Sequence, residues 1–106
     1  MVRIILLAII IGFITLNFKS GIAQNKVCDN QELIKIFKSD QDDRTNHIDR
    51  SIIQKNDSIR EARVYELLDS NKVRTSTDYC NAALIFQHGE DSVAYGMAVK
   101  LIKKSI

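Results

Sequence analysis

Apolar residues recur along this chain at helical spacing, and no segment keeps the two-residue alternation of a strand. Leu33, Ile34, Ile36 and Phe37 gather on one side of a segment that opens with Asp29-x-x-Glu32, an N-terminal cap with its reciprocal acid. Ser58-x-x-Glu61 reads as a second capping box, followed by Val64, Leu67 and Leu68. Thr75-Ser76-Thr77-Asp78 offers caps ahead of an apolar segment from Tyr79 to His88, which Gly89 is placed to end. Asp91 or Ser92 then starts a last helix with Ala94, Met97, Ala98, Leu101 and Ile102 on one face. The pattern predicts four helices, over about 30–46, 58–70, 77–88 and 92–105. Segment 47–57, with Ile48, Ile52 and Ile53, fits either an extension of the first helix or a short helix of its own. The last two helices, separated only by Gly89-Glu90-Asp91, should pack as neighbours. The expected fold class is all-α.

Ahead of these helices lies a different kind of sequence. Arg3 precedes an apolar run from Ile4 to Phe18, broken only by Gly12, Thr15 and Asn17. Small residues follow at Gly21 and Ala23. That order matches a secretory signal peptide, and the run is short of the roughly 20 residues that span a bilayer. The expected organisation is a signal peptide at 1–23 and a single helical domain at 24–106. The alternative is an uncleaved anchor. Cleavage implies a periplasmic or extracellular destination and no membrane attachment afterwards. The chain ends on Lys103-Lys104-Ser105-Ile106, inside an amphipathic pattern, which fits a natural stop or a truncation.

Export alters the charge argument. The formal charge of +2 includes Arg3 and Lys19; without them, thirteen of the 15 basic residues stand against 13 acidic ones. A neutral domain gives no reason to expect nucleic acid or an anionic membrane surface as partner. Two cysteines remain, Cys28 and Cys80, and an oxidising compartment makes them a candidate disulfide. Two separate thiols are the alternative, because two cysteines form no framework pattern.

Chemistry concentrates on the first and third helices. At 100° per residue, Asp40 and Arg44 continue the stripe of Leu33 and Phe37, with Gln41 at its edge. The stripe turns polar while still pointing inward. Asp40 and Arg44 are either a solvated i,i+4 pair or part of a buried cluster that positions a ligand. The third helix is apolar nearly all round and ends on Gln87 and His88, where a helix C-terminus favours imidazolium. His88 could serve as a base, a metal ligand or a cap for backbone carbonyls.

Other constellations are missing. The sequence contains no Gly-rich phosphate loop, no Gly-x-Ser-x-Gly elbow, no Cys-x-x-Cys and no His-Glu-x-x-His. Asp40-x-Asp42-Asp43 fails as a calcium loop, since Thr45 and Ser51 stand where glycine and a bidentate acid are needed. No cofactor or metal is expected. Asn56-Asp57-Ser58 matches a glycosylation acceptor but reads better as helix entry.

Asp40-Gln41-x-x-Arg44, then Asp78 before Ala82-Ala83, then Phe86-Gln87-His88-Gly89 resembles a bacterial domain-of-unknown-function family, often exported, that pairs an Asp-Gln-x-x-Arg motif with a later Gln-His motif. The resemblance spans roughly Glu32 to Ile102 and implies a site of Asp40, Gln41, Arg44, Gln87 and His88, with no activity attached. The expectation is an exported helical domain that binds an unknown ligand or protein partner through this face. Two rivals are a small hydrolase-like enzyme using His88 as general base and a truncated remnant of a longer protein. Whether the domain is an enzyme stays open, and no nucleophile is recognisable.

Overall fold

The computed structural model describes residues 27–106. The expected signal peptide lies outside the described residues. The described chain is all-α. Its four helices are α1 (Gln31–Thr45), α2 (Arg50–Asp69), α3 (Ser76–Phe86) and α4 (Ser92–Ser105). No strand occurs among the described residues.

The helix starts differ from the sequence reading in two places. Asn30, not Asp29, caps α1: its side chain accepts from the Leu33 N–H at 3.1 Å. The second helix begins at Arg50, so 47–57 is neither an extension of α1 nor a separate helix. Ser58 therefore lies in mid-helix, and its hydroxyl donates to the Gln54 carbonyl instead of capping. The Asn56-Asp57-Ser58 triplet is likewise helix interior, not helix entry. Thr75 and Asp78 form a complete reciprocal capping box on α3, and Asp91 caps α4.

Two helices stop without glycine. His47 (φ 53°) and Asn71 (φ 59°) take the left-handed conformation just past α1 and α2. After α2, Lys72 N–H returns to the Leu67 carbonyl and Asn71 N–H to Leu68, which is a Schellman closure. After α1, Ile48 N–H returns to Asp43 in the same way. The reversal at 46–49 folds α2 back beside α1 and brings the Asp40–Arg44 turn opposite the first turns of α2.

Leu33 from α1, Val64 and Leu67 from α2, Val73, Ala82, Ala83, Ile85 and Phe86 around α3, and Ala94 and Leu101 from α4 form the buried core. Tyr65 meets Phe86 edge-on, with ring centres 4.8 Å apart. The apolar helix is thus the central one, as its composition requires. It packs against α1, α2 and α4, whereas α4 packs against α3 alone among the helices.

Candidate functional site

At the end of the α1–α2 pair the core gives way to ions. Leu33 and Asp40 lie seven residues apart on one stripe of α1, and both are fully buried, at 0% and 1% exposure. Burial of a carboxylate is tolerated only with partners. Asp40 has four. Arg44 Nη1 lies 2.6 Å from Oδ1, Arg60 Nη2 lies 3.8 Å from the same atom, Gln41 Nε2 donates to Oδ2 at 2.9 Å, and His88 Nε2 lies 3.3 Å from Oδ2.

The network continues across α2. Arg44 spans to Asp57 in a two-pronged contact, at 3.2 and 2.9 Å. Arg60 donates to Asp43 at 2.9 Å and to Asp57 at 2.8 Å, and reaches the Ser39 hydroxyl at 3.3 Å. Asn56 donates to Asp43 at 3.0 Å. Three carboxylates, Asp40, Asp43 and Asp57, therefore face two guanidinium groups, with His88 as the sixth member. Arg60 is the most deeply placed cation, and its Nε is buried without a hydrogen-bond partner.

The carboxylates respond to these neighbours. Burial alone would raise Asp57, but hydrogen bonds from Arg44 and Arg60 outweigh it and hold the group below its ordinary value. Asn56 and Arg60 lower Asp43 in the same way. For Arg60, burial pushes down, while Asp57 and Asp43 push up and prevail.

Of the residues that the sequence singled out, Asp40, Gln41, Arg44 and His88 meet at one place. Gln87 does not join them: it occupies the cap position of α3, exposed, with its backbone N–H on the Ala83 carbonyl. Asp43, Asp57 and Arg60 belong to the cluster and were missed. Asp57, Arg60, Val64 and Leu67 share one face of α2, so the stripe turns polar there just as it does on α1. That signal was hidden by starting the helix at Ser58.

The two cysteines are not joined. Cys28 is exposed and Cys80 half-buried, both as free thiols. The segment leading into α1 does reach α3, since Asn30 N–H donates to Asp78 Oδ1 at 2.7 Å and Thr75 Oγ1 donates to Asp29 at 2.7 Å. Cys80, however, sits two residues beyond Asp78, about 200° around the helix, and is turned away from that entry.

The network forms one wall of two adjoining clefts. Asp57, His88, Gly89, Glu90 and Gln54 line both. The first cleft, about 440 Å³, adds Ser58, Glu61, Ala62, Tyr65 and Asp91. The second, about 560 Å³, adds Arg44, Arg50, Ile53, Gln87 and Tyr95. Gly89 lets the loop sit tightly on α4, because a Cβ there would collide with that of Ala94. Glu61 points toward the first cleft; burial, reinforced by Asp91 and Asp57, raises its carboxyl. No ion pair of Glu61 is present among the described residues. Nor is any grouping of three or more His, Cys, Asp or Glu side chains suited to a metal ion.

No protein-family model, curated protein or solved structure matches this chain.

Proposed function

We propose that this domain binds a ligand carrying positive charge in the cleft between α2 and the His88–Asp91 loop, and that the buried ion network holds one wall of that cleft in place. The observation behind this reading is the His88–Asp40 contact at 3.3 Å, which ties the loop to α1 and leaves His88 and Asp57 on the cleft wall. Asp40, Arg44 and Arg60 are engaged by one another. The groups facing the cleft are Glu61, the open side of His88, Glu90, which accepts from Gln54 through one oxygen, and Asp91, which caps α4 through one oxygen, with the Tyr65 ring beside them. A cation entering there would pair with Glu61, whose carboxyl is raised by burial and, after it, by Asp91 and Asp57.

A backbone-resolved NMR titration with spermidine, with acetate as the anionic control, tests the reading. Shifts at Glu61, His88, Gly89 and Asp91 with spermidine alone are expected. An equal response to acetate, or none to spermidine, would refute it. The hydrolase reading draws on the same Asp40–His88 pair, which is the arrangement that orients a general base. It needs a nucleophile bonded to the other ring nitrogen, and the serine on the cleft wall, Ser58, donates to the Gln54 carbonyl. We favour binding over turnover on that ground.

Export with cleavage near Ala23 is part of the same proposal, supported by Arg3, the run from Ile4 to Phe18 and the Gly-x-Ala ending. So is kinship with the family that the Asp-Gln-x-x-Arg and Gln-His motifs resemble.

A further inference from the structure

The two adjoining clefts form one trough along α2. Arg50, Gln54, Asp57 and Glu61 follow one another at spacings of four, three and four residues, so they share about 60° of the helix surface and extend about 16 Å along its axis. Gln54 and Asp57 line both clefts, Glu61 lines the first alone and Arg50 the second alone. The charge reverses between the two ends. Among the described residues no lysine or arginine lines the first cleft, whereas Arg44 and Arg50 line the second. The middle is satisfied within the protein: Asp57 is held by Arg44 and Arg60, and Gln54 donates to Glu90 at 3.1 Å. Arg50 is exposed and forms no ion pair among the described residues; the preceding Asp49 accepts from the Ser51 hydroxyl instead, at 2.9 Å.

We infer that the ligand of this trough is an extended zwitterion, with an ammonium at the Glu61–Asp91 end and a carboxylate at the Arg50 end. The inference rests on the cation-binding reading above and adds the opposite pole to it. Arg50 and Glu61 share a stripe yet cannot neutralise each other, because about 16 Å exceeds the screening length of about 8 Å at physiological salt. One ligand that reaches both satisfies both. An extended chain advances about 3.3 Å per residue, so a peptide of about five residues with free termini has the matching length. The helix favours the same polarity, since the positive end of α2 lies beside Arg50, where it attracts a carboxylate and repels a second ammonium.

Backbone-resolved NMR titration with pentaglycine tests this, against pentaglycinamide, which lacks the carboxylate, and N-acetylpentaglycine, which lacks the ammonium. Each blocked form should bind about tenfold more weakly than pentaglycine, and so should diglycine, which is too short to span the trough. Pentaglycine should shift Glu61 and Asp91 together with Arg50 and Tyr95, whereas pentaglycinamide should shift Glu61 and Asp91 alone. Arg50→Gln, at an exposed position, should reduce pentaglycine to the affinity of pentaglycinamide and leave pentaglycinamide itself unchanged. Equal binding of pentaglycine and pentaglycinamide, with Arg50→Gln silent, overturns the inference and leaves the cation-binding reading standing. No shift with spermidine or any of the peptides overturns both. N-acetylpentaglycine binding as tightly as pentaglycine overturns the inference as well, because the ammonium then contributes nothing.

Discussion

His88 Nε2 and Asp40 Oδ2 lie 3.3 Å apart across 48 residues of chain. The contact closes the end of the bundle, because Asp40 is also bound from α1 by Arg44 and Gln41. A loop after the most apolar helix is thereby anchored to a fully buried carboxylate. His88 itself stays partly open, so the anchor holds a wall of the cleft and is not the floor of the core.

The ion network should be costly to break from inside and cheap to trim at its edge. Removing one partner of a buried ion pair leaves the other uncompensated, at about 3–5 kcal/mol. Asp40→Ala is expected at the lower end of that range: Arg44, Gln41 and His88 lose their buried acceptor, while Arg60 keeps Asp43 and Asp57. Arg44→Ala should cost less, about 1–3 kcal/mol, because Arg60 still serves Asp57 and the Arg44 side chain is 30% exposed. Urea melts of the two variants check the order.

Acid should unfold the protein through Asp43, Asp57 and Asp78. Each has its folded value held below the ordinary one. The stability they contribute is therefore complete above the unfolded carboxylate range, near pH 4, and is lost as pH falls through the folded values. Glu61 has the opposite sign: its folded value is raised, so its ionisation costs stability as pH rises past the unfolded value. Glu61→Gln should raise the melting temperature at pH 7 and leave it unchanged at pH 3, as read by thermal scans at the two pH values.

Asp78 is a structural carboxylate with a separate role. Burial would raise it, but backbone N–H groups of Asn30, Arg74 and Thr75, together with the Thr75 hydroxyl, hold it low. Asp78→Ala orphans the three N–H donors and should cost about 3 kcal/mol. Hydrogen exchange at the Asn30 amide should accelerate, because its acceptor is gone.

Much of this was legible in the sequence, and the failures have physical causes. The stripe from Leu33 through Asp40 to Arg44 placed one half of the cluster, since helical periodicity reports direction whatever the side chain. The other half was lost at Ser58-x-x-Glu61, a pattern that serves as a cap only where a helix begins. The true start at Arg50 was obscured because Asp49 makes no side-chain cap bond. The preceding stop, like the one after α2, used His47 and Asn71 in place of glycine. Gly89 was read as a helix end; its φ is not positive, and its role is close approach to Ala94. Gly89→Ala should accordingly destabilise by about 1–3 kcal/mol through overpacking, which a urea melt reads.

The cysteines offer a simple check on the entry to α1. Mass spectrometry after alkylation without reductant should find both thiols modified, Cys28 faster than Cys80, as their exposure dictates. A species resistant to alkylation until reduced would show a bridge and a different path for residues 27–30.

The central claim is that an internal ion network, centred on Arg60, fixes the wall that His88 presents. Paired urea melts of Arg60→Ala and His88→Ala test it most directly. Arg60→Ala should lose about 3–5 kcal/mol, because Asp43 and Asp57 are left without their shared cation. His88→Ala should lose under about 1.5 kcal/mol, the worth of one partly exposed polar contact. An Arg60→Ala protein within about 1 kcal/mol of the wild type would contradict the account, because only a solvated surface pair is that dispensable.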